Sequence, residues 1–96
     1  MASAVPAVVA ATRRRLLSHF RVAGATSENA AIAFAARRLV EQRQFDRMRK
    51  AGVFRQEPSG RYWLDEKRAD EWASARRKRG LIVAAIAAGA AALFLS

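Results

Sequence analysis

Apolar residues recur at spacings of three and four along the first part of the chain, as they do on one side of an α-helix. This stripe consists of Val8, Val9, Thr12, Leu16 and Phe20. Gly24 follows the stripe and can end the helix, because glycine commonly occupies the first position beyond a helix. The pattern predicts a first core helix that leaves Arg13, Arg14 and Arg21 in solvent.

The apolar pattern changes phase in the next segment. At about 100° per residue, Ile32 and Phe45 fall on opposite sides of a continuous helix. One straight helix cannot bury both residues against one surface, so we predict two helices, over about 28–40 and 44–51. A single long helix clamped between two surfaces is the alternative. Gly52 is positioned to end this unit.

Residues 53–64 predict a β-hairpin. Their flanks are rich in β-branched and aromatic residues, and a polar turn, Glu57–Gly60, lies between them. Proline at the second position of the turn and glycine at the fourth suit a type I turn. Pairing the strands around this turn sets Phe54 opposite Trp63, and we expect the two rings to pack together.

The end of the chain is apolar. Asp65 can cap a final, polar helix, and the run from Leu81 to Leu95 then contains no polar side chain. The bases just before the run are Arg76, Arg77, Lys78 and Arg79. A basic cluster beside an apolar run is typical of the cytoplasmic boundary of a membrane span. We therefore predict a transmembrane tail anchor, although such a helix is only about 22 Å long and a bilayer core is about 30 Å thick. The alternatives are a tail buried in an oligomer or partner groove, and an interfacial or disordered tail.

The segment from Met48 to Leu64, MRKAGVFRQEPSGRYWL, resembles the end of the recognition helix and the wing of a winged helix-turn-helix protein. The resemblance covers about residues 12–68. It implies a mainly α fold with one β-hairpin, a small winged-helix-like domain followed by a C-terminal apolar helix. It also implies a polyanion-binding surface on the third helix and the wing, formed by Arg47, Arg49, Lys50, Arg55 and Arg61. The family pattern is not complete, since the predicted turn before the third helix has neither glycine nor proline.

Composition and charge narrow the classes of function. The chain carries 18 basic and 8 acidic residues, a formal charge of +10, which attracts nucleic acid or anionic lipid. It has no cysteine and one histidine, and no cluster of catalytic or metal-ligating residues is apparent, so we expect neither an enzyme nor a cofactor.

We divide the chain into four predicted segments: an apolar N-terminal stretch (1–11), the winged-helix-like domain (12–68), a basic juxtamembrane helix (69–80) and the tail anchor (81–96). Four arginines and no acid among residues 1–27 leave an organellar targeting segment open.

These features predict two functions. The first is a small non-enzymatic, tail-anchored membrane protein with a cytoplasmic basic domain that acts as an adaptor or accessory subunit. Its partners would be anionic lipid and another protein of a membrane complex. The alternative is a winged-helix nucleic-acid-binding protein, with or without membrane attachment, which would bind weakly and with little sequence preference. A merely solvated basic surface competes with both functions.

Overall fold

Three helices and one hairpin make up the described chain. The computed structural model describes the backbone of residues 4–95 and the side chains of residues 4–90. Residues 1–3 of the predicted N-terminal stretch, and Ser96, lie outside the described residues. The elements in chain order are α1 (Val5–Val22), a 3-10 turn (Glu28–Ala30), α2 (Leu39–Lys50), β1 (Phe54–Gln56), β2 (Tyr62–Leu64) and α3 (Glu66–Leu95). The prediction of a mainly helical fold with one antiparallel hairpin is confirmed.

Aromatic rings from five parts of the chain form the centre of the core. Phe20 of α1 lies 4.6 Å from Phe54 of β1, and Phe34 lies 4.5 Å from Phe45 of α2, measured between ring centroids. Tyr62 of β2 meets Phe45 edge-on at 5.0 Å. The aliphatic core residues around these rings are Leu16, Ala25, Met48, Val53, Leu64 and Ala69. Burial of this apolar surface is the main force that holds α1, α2 and the hairpin together.

Both predicted helix ends are confirmed by their hydrogen bonds. After α1, the N–H of Ala25 donates to the carbonyl of Phe20 at 2.9 Å. After α2, the N–H of Val53 donates to the carbonyl of Met48 at 2.9 Å. Such bonds satisfy carbonyls that have no partner inside the helix. Gly52 has a φ of +84°, a conformation that costs residues with a Cβ about 1–2 kcal/mol.

The predicted helix over 28–40 is wrong. Glu28–Ala30 forms a single turn of 3-10 type, the chain from Ala31 to Arg38 is not helical, and α2 begins at Leu39. Ile32 instead exchanges two backbone hydrogen bonds with Tyr62, at 2.7 and 2.8 Å, and Phe34 enters the aromatic cluster. A single long helix is excluded for the same reason. Hydrogen bonds to a distant strand and packing of the partly buried Phe34 against the core replace the local helical hydrogen bonds.

The hairpin is present, but its predicted register is wrong by one residue. Phe54 lies opposite Leu64, and Trp63 lies opposite Arg55. The N–H of Gly60 donates to the carbonyl of Glu57 at 2.9 Å, as the predicted turn requires. Gly60, however, has a φ of +92° and adds one residue after the turn, which gives a three-residue loop. Neighbouring strand residues face opposite sides, so this shift separates Phe54 from the ring of Trp63.

The resemblance to a winged helix-turn-helix is contradicted. In that fold a second helix directly precedes the recognition helix in the chain and packs against it. Here the segment that directly precedes α2, from Ala31 to Arg38, is not helical. The basic surface therefore lacks the paired-helix geometry that the resemblance implied.

The predicted transmembrane tail anchor is also contradicted. Within the described residues, no helix combines the length and the apolar character needed to cross a bilayer. The predicted separate apolar helix at the C-terminus is not present either. The polar residues after Asp65 and the apolar run after Gly80 belong to one continuous helix, α3.

Candidate polyanion-binding surfaces

The outer face of α2 carries a stripe of basic side chains. Arg43, Arg47 and Lys50 recur at spacings of four and three, which places them on one side of the helix. All three are exposed, and the ion pairs within the described residues involve other bases. We call these three residues the α2 stripe. Its charges are available to an external anion.

Arg49 does not belong to this stripe. It follows Arg47 by two positions, about 200° around the helix, and is exposed on another side of α2. The structure thus brings together two of the predicted site residues on α2, Arg47 and Lys50, and separates Arg49 from them.

The two predicted site residues of the hairpin have different surroundings. The Nε atom of Arg55 lies 2.9 Å from Oδ2 of Asp65, and its guanidinium lies 5.7 Å from the ring centroid of Trp63. Oδ1 of the same Asp65 accepts the N–H of Arg68 at 3.1 Å, which confirms the predicted cap of the last helix. Arg55 is therefore already paired within the fold, whereas Arg61 is exposed at the end of the hairpin.

Glu57 holds the loop of the hairpin. Its Oε1 atom accepts the backbone N–H of Arg61 at 2.8 Å and the hydroxyl of Ser59. The hydrogen bond from Ser59, followed by the one from the Arg61 backbone, lowers the pKa of Glu57 below its ordinary 4.5. Both bonds favour the charged carboxylate. This acid stabilises the loop and also reduces the positive charge around Arg61.

Sequence reasoning missed a cluster at the base of α3. Arg13, which was expected in solvent, is only 9% exposed, and its Nε atom donates to Oε1 of Gln44 at 2.8 Å. Two guanidiniums lie over the ring of Trp72, at 5.0 Å from its centroid for Arg13 and 5.1 Å for Arg76. The available signal was the tryptophan itself, a large aromatic residue in an otherwise polar stretch. One of the four predicted juxtamembrane bases is thus in contact with the ring of Trp72.

The rest of α3 is solvent-exposed as far as its side chains are described. Arg77, Lys78 and Arg79 are exposed, and so are the apolar residues that follow them. Leu81, Ile82, Val83 and Ile86 have exposed fractions of 71, 58, 66 and 67%. Ile82, Val83 and Ile86 lie within about 100° of one another around the helix, and Leu81 lies about 100° from Ile82. We call residues 76–90 the α3 arm.

The described residues contain no group of three or more His, Cys, Asp or Glu side chains that could bind a metal ion.

Comparisons with known protein families, with curated proteins and with solved structures gave no match.

Proposed function

We propose that this protein is a small non-enzymatic adaptor that associates with anionic membrane surfaces through the α3 arm. The observation that carries the proposal is the exposure of four aliphatic side chains directly after a basic cluster. Contiguous exposed apolar surface is typical of protein or membrane interaction sites. The adjoining positive charge favours an anionic lipid surface as the partner, and we expect the folded part to face the cytoplasm, where such lipids are concentrated.

Energetics support association without a span. Burial of an exposed aliphatic side chain contributes about 1.5–3 kcal/mol, and each base near an anionic surface about 1 kcal/mol. Ile82, Val83 and Ile86 lie on one side of the helix, so the arm can bury them at the lipid interface while the adjoining bases contact the headgroups. This geometry leaves α1, α2 and the hairpin outside the lipid, where they can contact a protein partner.

Co-sedimentation of the full chain with vesicles tests the proposal. Binding should be stronger to vesicles that contain phosphatidylserine than to vesicles of phosphatidylcholine alone. Arg77→Glu with Arg79→Glu should remove this preference, and Ile82→Ser with Ile86→Ser should weaken binding to both compositions. The matched control is Arg43→Glu with Arg47→Glu, an equal charge change on α2. Loss of binding in the control, or a full chain that stays in the supernatant with anionic vesicles at physiological salt, contradicts the proposal.

Nucleic-acid binding by the α2 stripe is the second candidate function. It is favoured by three exposed bases on one helix face that have no ion-pair partner within the described residues. Such an array neutralises phosphates and provides affinity without sequence readout. We expect weak binding, because only a few charges are aligned.

A salt titration with duplex DNA tests this second candidate. Each phosphate neutralised contributes about −0.9 to the slope of log affinity against log salt concentration. Arg43→Glu with Arg47→Glu should make the slope less steep, whereas Arg77→Glu with Arg79→Glu should not. Binding that depends equally on both pairs would indicate a general effect of net charge.

A further inference from the structure

A groove runs between α1 and the non-helical segment before α2. Its volume is about 450 Å³, within the range of about 300–1,000 Å³ that is usual for ligand sites. The residues that line it are Thr12, Arg15, Leu16, His19, Ala33, Phe34, Ala35, Arg37 and Glu41. We call it the α1 groove. It lies apart from the predicted site residues, none of which lines it.

Charge and apolar surface are combined in the α1 groove. Phe34 is partly exposed and provides apolar surface, and Arg15 and Arg37 provide two exposed guanidiniums. Neither arginine takes part in an ion pair within the described residues. Glu41 is the one carboxylate in the lining, so the groove keeps a positive excess. A ligand that carries both carboxylates and apolar groups complements this lining.

The backbone along the groove has unused hydrogen-bonding groups. Ile32 directs its N–H and carbonyl toward Tyr62 of β2. In an antiparallel pair the polar groups of successive residues point to opposite sides, so those of Ala33 point away from β2. Within the described part of the chain, Ala33, Phe34 and Ala35 form no backbone hydrogen bonds. The segment is joined to the edge of the two-stranded sheet by the isolated bridge at Ile32, and unpaired backbone beside a sheet edge is a template for an added strand.

We propose that the α1 groove binds an extended acidic segment of a partner protein, which adds as a strand beside residues 33–35. Main-chain hydrogen bonds give such complexes affinity, and pockets for alternate side chains give them specificity. Carboxylates of the segment pair with Arg15 and Arg37, and an apolar side chain contacts Phe34. The inference deepens the proposed adaptor role by naming the partner's chemistry, but it requires no lipid.

Fluorescence anisotropy with the full chain provides the first test. The probe is a labelled short peptide that alternates glutamate with valine. We expect saturable binding, at least about tenfold weaker binding when lysine replaces glutamate, and loss of binding when the peptide nitrogens are methylated. No saturation up to about millimolar peptide, or equal binding of the lysine peptide, overturns the proposal. Free acetate at the same carboxylate concentration should not compete, and full competition would show a site for small carboxylates alone and overturn strand addition.

Charge reversal at the groove provides the second test. Arg15→Glu and Arg37→Glu should each weaken peptide binding about tenfold. Arg14→Glu is the matched control, because Arg14 is also exposed on α1 and does not line the groove. Thermal unfolding checks that each variant is folded. An equal loss of peptide affinity with Arg14→Glu would show that binding depends only on the net charge of the protein, and it would overturn the proposal.

Amide chemical shifts locate the site independently of the variants. Titration of the peptide should move the amide signals of Ala33 and Ala35 before those of the α2 stripe. Shifts centred on α2 would overturn the proposed site. Because these experiments contain no lipid, peptide binding and vesicle binding can fail separately.

Discussion

Arg13 is the charged side chain that is most constrained by its surroundings. Burying a guanidinium is unfavourable unless hydrogen bonds or an aromatic face replace the lost water. Gln44 supplies one hydrogen bond and the ring of Trp72 supplies the face, while Nη1 has no partner in the described residues. This group fixes the start of α3 against α1 and α2. Together with the hydrogen bond from Arg68 to the carbonyl of Ala51 and the buried Ala69, it orients the α3 arm relative to the folded part.

Arg13→Ala should lower the free energy of unfolding by about 1–3 kcal/mol, because it leaves the buried Gln44 amide unpaired. Urea denaturation measures the change. The control is Arg14→Ala, an exposed neighbour for which we expect a change within about 0.5 kcal/mol. Equal effects of the two substitutions would contradict a structural role for the Arg13 cluster.

Glu57 should make the hairpin sensitive to acid. Its pKa is lowered in the folded chain, so its contribution to stability is complete above its unfolded pKa and is lost as pH falls through the folded pKa. Below about pH 4.5, the unfolding midpoint of the native chain should therefore fall more steeply than that of Glu57→Gln. Thermal melts across this pH range test the expectation, and parallel curves would contradict it.

At the scale of elements, the two glycines that end α1 and α2 differ in their surroundings. A Cβ at Gly52 would lie 3.1 Å from Nε of Arg68, the atom that donates to the carbonyl of Ala51 at 2.8 Å. A Cβ at Gly24 would meet nothing within 4 Å. The end of α2 is thus packed against the start of α3, and the end of α1 is open.

Gly52→Ala and Gly24→Ala separate backbone strain from this contact. Both substitutions place alanine at a positive φ, which costs about 1–2 kcal/mol. Gly52→Ala should cost more, since it also displaces Arg68 from its hydrogen bond. Urea denaturation of the two variants gives the difference directly. A larger loss for Gly24→Ala would show that the contact with Arg68 does not contribute to stability.

The observed register changes which ring of the hairpin matters for stability. Phe54 is 1% exposed and contacts Phe20 and Phe45, whereas Trp63 is half-buried beside Arg55. Phe54→Ala should lower the free energy of unfolding by about 3–5 kcal/mol. Trp63→Ala should lower it by roughly 1 kcal/mol. Thermal or urea unfolding compares the pair, and the reverse order would support the register expected from the turn alone.

At the scale of the whole molecule, the folded part and the α3 arm depend on different residues. The core draws on α3 through Ala69 and Trp72, and all described side chains from Arg76 onward are exposed. A helix of 30 residues is about 45 Å long, and the longest dimension of the molecule is 61 Å. The arm therefore contributes length and apolar surface, but no core contacts.

Truncation after Arg79 tests this separation. The shortened chain should unfold at the same urea concentration as the full chain, within about 0.5 kcal/mol, because no core residue is removed. It should also lose most of its vesicle binding, since it lacks the aliphatic side chains. A folded fragment that still binds anionic vesicles fully would assign the binding to the basic residues alone. Destabilisation would show that the arm packs on the folded part.

Much of this fold could be predicted because its signals are local. The stripe of α1, the glycines after α1 and α2, the turn at Glu57–Gly60 and the Asp65 cap each depend on a few neighbouring residues. Sequence reasoning also located Arg47 and Lys50 as neighbouring exposed bases. It could not predict the ion pair of Arg55 with Asp65 or the contact between the Arg13 guanidinium and the ring of Trp72. In both pairs the two residues belong to different elements, which only the tertiary structure brings together.

The sequence by itself determined the helical stripe, the presence of the hairpin and the basic and apolar composition of the C-terminal part, whereas the exposure of those C-terminal side chains is seen only in the structure. Tertiary structure decided the conformation between Ala31 and Arg38, where periodicity favoured a helix. There, two hydrogen bonds to Tyr62 and the partial burial of Phe34 against the core outweigh local helix formation. Periodicity reports which face of a segment is apolar. It carries no information about a strand thirty residues away whose backbone can form hydrogen bonds with the same segment.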